Sequence, residues 1–226
     1  MFHARVLLHV NLSSDLVGKP VSLAPDLYYS INDRVQVGLL HNGPMGFQTR
    51  PGAGLCLTGS DNGCPEVYDN VGFDLLYGLA FGDFHFSAHG SLYLTQISDP
   101  THLMLTVGGA GKLHFGETFA LFFDPQIGFA ITDRDGTNAD MLFIPLELQA
   151  QAADAISVKL LTGLTGPFDG FGDAYQIPLG LAAIFNLNEH FDIGLRFSFD
   201  NLLGKVPDGV SRADQRSLAL LFHYRS

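Results

Sequence analysis

From Phe84 to Thr95 the chain alternates without a break: Phe84, Phe86, Ala88, Gly90, Leu92 and Leu94 against His85, Ser87, His89, Ser91, Tyr93 and Thr95. A period of two puts apolar side chains on one face of an extended strand and polar ones on the other. The pattern recurs. Val6, Leu8, Val10 and Leu12 oppose Arg5, His9 and Asn11, and Phe191, Ile193, Leu195, Phe197 and Phe199 oppose Asp192, Arg196 and Asp200. Short turns alternate with longer loops along the whole chain.

The alternation predicts about twelve strands: Ala4–Ser13, Val21–Ile31, Arg34–His41, Asn70–Phe81, Phe84–Thr95, His102–His114, Phe119–Thr132, Asp140–Gln149, Ala155–Thr165, Asp173–Asn186, Phe191–Asp200 and Arg216–Tyr224. Turns at Asn32, Gly82, Phe115, Ala152 and Leu187 are short, and the connections between them are longer, the longest being Asn42–Asp69. Hydrophobic residues make up 46% and charged residues 15%, against about 25% charged in soluble domains. Yet no apolar run reaches the roughly 18 residues of a membrane helix. A lipid-facing chain without such helices must close its hydrogen bonds between strands. The expectation is an all-β fold: a transmembrane up-and-down antiparallel β-barrel forming one domain over residues 1–226. An even strand number puts both termini on one side, with the short turns. A soluble barrel alternates too, but its polar face carries a dense charged coat, whereas this one is rich in Gly, Ala and Ser. A twelve-strand barrel is also too wide for side chains to fill an apolar interior.

Aromatic placement agrees with this register. Tyr29, Phe81, Phe84, Phe115, Phe119, Phe185, Phe191, Phe222 and Tyr224 fall on the outward parity beside short turns or the C-terminus, as an interfacial girdle requires. The last strand, Ser217-Leu-Ala-Leu-Leu-Phe-His-Tyr224, resembles the C-terminal signal of bacterial outer-membrane β-barrel proteins: Leu218, Leu220, Phe222 and Tyr224 alternate up to a terminal aromatic, and Arg225-Ser226 extend past it. The resemblance is at the level of the class and implies the outer membrane of a Gram-negative-type bacterium. Twelve-stranded members of that class include small selective channels, autotransporter translocators and an outer-membrane phospholipase A. Met1–Arg5 has no apolar export segment, so a mature form is expected.

The net charge of −11 leaves no basic stripe for nucleic acid. Cys56 and Cys64 lie in a loop rich in Gly, Asp and Pro, and a disulfide between them fits an oxidising exterior better than a metal pair does. Pore-lining candidates on the inner face are Arg5, His9, Asp26, Arg34, Asp74, His85, His89, Lys112, His114, Asp124, Glu147, Lys159, Asp192, Arg196, Asp200 and His223. Both signs are mixed, which predicts a polar lumen with selectivity set by rings of charge. The other reading is that these groups pair across the lumen and plug it. Acidic loop residues (Asp15, Asp61, Glu66, Asp99, Asp133, Asp135, Asp169, Asp208 and Asp214) favour cations at the mouth.

Two sharper motifs are present. His89-Gly-Ser91 resembles the His and Ser spacing of outer-membrane phospholipase A, but here both residues face the lumen and Leu92 follows the serine. Ordinary lumen polarity accounts for the pair equally well. Asp133, Asp135, Asn138 and Asp140 surround a Gly turn in a way that suits calcium, with a solvated acidic hairpin as the alternative. Neither an enzyme activity nor a cofactor is expected. The chain reads as a monomeric pore for passive diffusion of small polar solutes or ions, in contact with the lipid bilayer. The alternative is a plugged barrel that anchors an envelope protein partner through its loops.

Overall fold

Asparagine and glycine mark four of the tight reversals among the described residues. Asn32 Oδ1 accepts the amides of Arg34 and Val35 at 2.9 and 3.0 Å, and Asn188 Oδ1 does the same for His190 and Phe191 at 2.9 and 3.0 Å. Each is an Asx turn that reverses the chain within a few residues. Gly82 and Gly116, both at positive φ, close two more reversals that L side chains strain to adopt.

The computed structural model describes residues 1–13, 19–43, 52–64, 66–206 and 211–226. Among them the strands are β1 (Phe2–Asn11), β2 (Val21–Ser30), β3 (Val35–Leu40), β4 (Leu55–Cys56), β5 (Val71–Ala80), β6 (Phe84–Gln96), β7 (His102–Phe115), β8 (Phe119–Phe123), β9 (Gln126–Ala130), β10 (Met141–Ala153), β11 (Ile156–Pro167), β12 (Leu179–Asn186), β13 (Phe191–Phe199) and β14 (Arg216–Arg225). All pairings are antiparallel and follow the chain from stave to stave, with β3 paired to β2 and β5, β4 to β2, and β8 and β9 both between β7 and β10; β1 pairs with both β2 and β14. The sheet closes as a barrel of 12 staves. Closure removes every free edge, which is what permits strands to sit in lipid.

The expected seventh strand, Phe119–Thr132, is broken at Asp124-Pro125 because proline has no amide to donate. Its two pieces keep one register: β8 and β9 both pair with β7 and with β10, so the parity is unchanged. The tenth strand starts later than Asp173. Residues Phe171–Ala174 form one helical turn, and pairing resumes at Leu179, just after Pro178. β4 takes up β2 where β3 leaves it, pairing Leu55 with Leu23 and Cys56 with Ser22. Thus a middle piece of the long 41–70 connection completes the stave that β3 begins, beside the part of β2 that pairs with β1, and the Cys56–Cys64 disulfide ties it.

Large apolar side chains of the outward parity are exposed around the barrel, among them Phe73, Leu75, Leu105, Phe129, Leu148, Leu160, Leu181, Leu195 and Leu220. Such a continuous band is a lipid-facing surface. Tyr29, Phe84, Phe115, Phe119, Phe185, Phe191 and Phe222 are exposed at the end carrying the short turns and both termini, hereafter the turn end. Tyr224 packs on Phe191 with ring centroids 5.0 Å apart. Phe81 departs from the expected girdle. A register shift between Gly78 and Ala80 reverses the parity there, and Phe81 stands against Gly78 and edge-on to His85 at 6.4 Å, at the lumen mouth. Of the acidic loop residues, Asp15 and Asp208 lie outside the described residues.

Candidate functional site: the lumen

Inner-face residues grade from wet to dry along several staves, β1, β6, β12 and β14 among them. On β6, His85 is exposed, Ser87 and His89 are half-buried, and Ser91 and Tyr93 are buried. On β7, His114 is exposed, Lys112 half-buried, and Thr106 and Met104 buried; on β1, His3 and Arg5 are half-buried and Leu7, His9 and Asn11 buried. The half of the lumen nearer the turn end is therefore water-accessible. The half nearer the long loops is packed.

The packing comes from the two ends of the 41–70 connection. Asp26, with no exposed surface, accepts the amides of His41 at 2.8 Å and Asn42 at 3.1 Å, and the Asn42 side chain at 2.9 Å. Asn70 accepts the Gly54 amide at 2.6 Å and donates to His41 O at 2.5 Å and to the Tyr93 hydroxyl. Gly54 has φ +75° and lies so close to the Leu23–Ala24 backbone that a Cβ has no room. Leu7, Ala24 and Ala219 form a small buried apolar cluster beside them, with Leu221 against it. Hydroxyl pairs fill the remaining wall: Ser91 with Thr106 at 2.7 Å and Ser198 with Ser217 at 2.9 Å.

The wetter half carries the charge. Arg5 Nη2 meets Asp26 Oδ2 at 2.6 Å and donates to the Tyr28 hydroxyl at 3.3 Å. His89 lies between two carboxylates, Nε2 to Asp74 at 2.6 Å and Nδ1 to Asp124 at 2.8 Å, while Gln126 donates to Asp124 at 3.0 Å. Lys159 pairs with Glu147 at 2.9 Å. Lys159 and Lys112 each place Nζ 5.1 Å from the centre of the Phe122 ring, a cation–π distance. Asp192 takes Arg225 at 2.7 Å and His223 at 3.1 Å. His85 and His114 stand edge-on at 6.3 Å, and the Arg34 guanidinium covers Phe81 at the mouth, 5.7 Å from its ring centre.

Two expected inner residues behave differently. His9 is fully buried, with neither ring nitrogen hydrogen-bonded among the described residues. Asp200, just past the end of β13, is near Arg196, and burial pushes its carboxyl up to about 7 against the pull of that guanidinium.

In the acidic hairpin, Asp133, Asn138 and Asp140 take protein partners, and Asp135 is exposed. Asp133 Oδ2 meets His102 at 3.0 Å and accepts the Thr137 amide at 3.1 Å. Asp140 accepts the Ala130 amide at 2.8 Å and pairs with Arg134 at 2.9 Å. Asn138 turns its side-chain amide to Leu103 O and Thr132 O. Among the described residues no three His, Cys, Asp or Glu side chains are grouped to hold a metal. The His89–Ser91 pair also fails as a nucleophile and base. With carboxylates on both nitrogens, His89 has no lone pair to offer Ser91, and the serine is bonded to Thr106 instead.

Between the two halves lies a cavity of about 80 Å³, bounded by Arg5, Lys159, Arg196, Glu147 and Asn42 and by apolar Leu7, Leu161, Ile184 and Leu221. Sequence parity put Arg5, Glu147, Lys159 and Arg196 on the inner face but could not show them converging. Tyr28, Tyr93 and Phe122 were legible as aromatics on the polar parity. Asn42 and Asn70 left no signal, being ordinary loop amides until the loop is seen to turn inward.

No family model matches the chain, and no curated protein sequence matches it. Solved structures do. A NanC porin aligns over 100% of both chains with a TM-score of 0.68 and 6% identity. A KdgM porin aligns over 98% of this chain and 99% of its own with a TM-score of 0.64 and 6% identity. An outer membrane channel from Pseudomonas putida F1 aligns over 99% of this chain and 94% of its own, with a TM-score of 0.59 and 13% identity. At such identities the likeness is one of fold: the chain, a closed antiparallel barrel of 12 staves, has the fold of outer-membrane porins and channels.

Proposed function

We propose that this protein sits in the outer membrane of a Gram-negative-type bacterium and passes small polar solutes or ions passively through its lumen, without catalysis. The observation that carries this reading is the wet, charged half-lumen, where paired acids and bases line a water-accessible wall inside a lipid-facing barrel. The likeness in fold to three outer-membrane porins and channels supports it. With short turns in the periplasm, the wet half opens to the periplasm and the packed half faces outside.

The packed half favours a second reading, a plugged barrel that binds an envelope partner through its loops. Single-channel recording of the refolded protein in a planar bilayer, with reversal potential under a salt gradient, separates the two. Discrete conductance steps are expected. A silent bilayer containing folded, inserted protein refutes the pore and leaves the plugged barrel.

A further inference from the structure

At the turn end, where the lumen is wet, β6 and β7 bring two histidines together. His85 is the second residue of β6 and His114 the last but one of β7. Both are exposed, and their rings stand edge-on with centres 6.3 Å apart. None of their four ring nitrogens has a hydrogen bond among the described residues. The strand ends that carry them are tied directly, the His114 amide donating to Asp83 O at 3.0 Å. A neutral imidazole offers one lone pair, and Zn²⁺, Ni²⁺ and Cu²⁺ take it at about 2.0–2.1 Å. Two imidazoles on one such ion have ring centres roughly 5–6 Å apart. A small rotation about the side-chain torsions therefore brings this pair onto a shared ion, and neither strand has to move.

Charge decides between this pair and another close one. His3 and His223 have ring centres 5.9 Å apart, but they lie opposite Arg225 and Arg5 respectively, and His223 Nδ1 is bonded to Asp192. The register partner of His85 is Lys112, whose ammonium leans to the β8 side, 5.1 Å from the centre of the Phe122 ring. Arg34 covers Phe81, the ring that meets His85 edge-on at 6.4 Å. The turns before β6 and after β7 carry exposed Asp83 and Glu117, which raise the local concentration of cations.

We propose that His85 and His114 form a binding site for one divalent transition-metal ion of the zinc, nickel and copper type, water filling its other positions, at the turn-end mouth of the lumen. An ion there stands in the path of solutes that pass this mouth. As a block of permeation it rests on the channel reading; as a binding site it does not.

The test is calorimetric titration of the folded protein in detergent, free of added histidines, with nickel, zinc and magnesium chlorides, and electron paramagnetic resonance with one equivalent of copper(II). Saturable nickel and zinc binding is expected, with magnesium silent and the copper signal split by imidazole nitrogen. Binding should be lost in acid, where protons compete for the same lone pairs. His85→Ala and His114→Ala should each weaken nickel about tenfold, His3→Ala should leave it unchanged, and Lys112→Gln should tighten it several-fold. Absence of saturable nickel and zinc binding overturns the proposal, as does magnesium binding of equal strength or nickel binding that survives both histidine variants. A copper signal without nitrogen splitting overturns it too, and that measurement needs no variant. Bilayer recording with zinc added at the turn-end side separates this from the channel reading: conductance steps in a protein that binds neither nickel nor zinc refute the site alone, and nickel binding in a silent barrel refutes the pore alone.

Discussion

The two halves of the lumen use the same alternating wall for opposite ends. Toward the turn end, charged side chains pair while keeping contact with water, as at Lys159–Glu147, where both side chains are about a quarter exposed, 24% and 27%. Toward the loop end, the wall is dry, and Asp26, Asn70, Ser91 and Thr106 are bonded within it or to the ends of the 41–70 connection, His9 being an exception. An ion pair that keeps its water contributes little to stability, whereas a buried group that loses its partner costs its whole desolvation. Mutational cost should therefore climb steeply from the turn end to the loop end.

The largest effect is expected at the boundary. Asp26→Ala leaves Arg5 and the His41 and Asn42 donors without their acceptor, a loss of about 3–5 kcal/mol. Guanidinium unfolding of the detergent-folded protein reads it, and single-channel conductance should rise as the 41–43 segment loosens; an unchanged midpoint sinks the boundary role of Asp26. Next comes the Cys56→Ala, Cys64→Ala double variant. Releasing a loop with a sequence separation of 8 should cost about 2–3 kcal/mol on chain-entropy grounds. Protease cleavage should rise at the loop end while the turn end stays resistant, and equal sensitivity at both ends would erase the contrast. Gly72→Ala drives a methyl into the Tyr93 ring and breaks its hydroxyl contact to His41 O, 2.6 Å in the native barrel; overpacking of this kind costs about 1–3 kcal/mol, visible as a lower thermal midpoint. The smallest effect belongs to the wet half. Glu147→Gln should change stability by at most about 1 kcal/mol yet move the reversal potential toward anions. A large stability loss there contradicts the division into halves.

Much of the barrel was legible in the chain. Alternation placed every stave to within a few residues at most ends, and the Asn32, Gly82 and Leu187 turns stand where their Asx and glycine chemistry dictates. The errors have local causes. Pro125 interrupts a stave that hydrophobicity alone reads as continuous, and the Phe171–Ala174 turn occupies residues that alternate like a strand. The bulge after Gly78 turns Phe81 from the lipid face to the lumen mouth. The pairing of charges was not legible. His89 meets Asp74 and Asp124, 15 and 35 positions away, and the strand period gives depth and face without saying which charge across the lumen comes within reach. The contacts of Asp133 with His102 and of Asp140 with Arg134 were not legible for the same reason.

Sequence alone determined the two faces, the stave count and the end that bears the aromatic girdle. Those follow from a two-residue period and from which solvent, lipid or lumen, each side chain must meet, and both are local properties of the backbone. The tertiary structure decided where the lumen stays wet and where it is packed. That outcome depends on the described ends of a long connection being held by Asp26 and Asn70, through bonds between residues 15 to 29 positions apart, which a two-residue period does not encode.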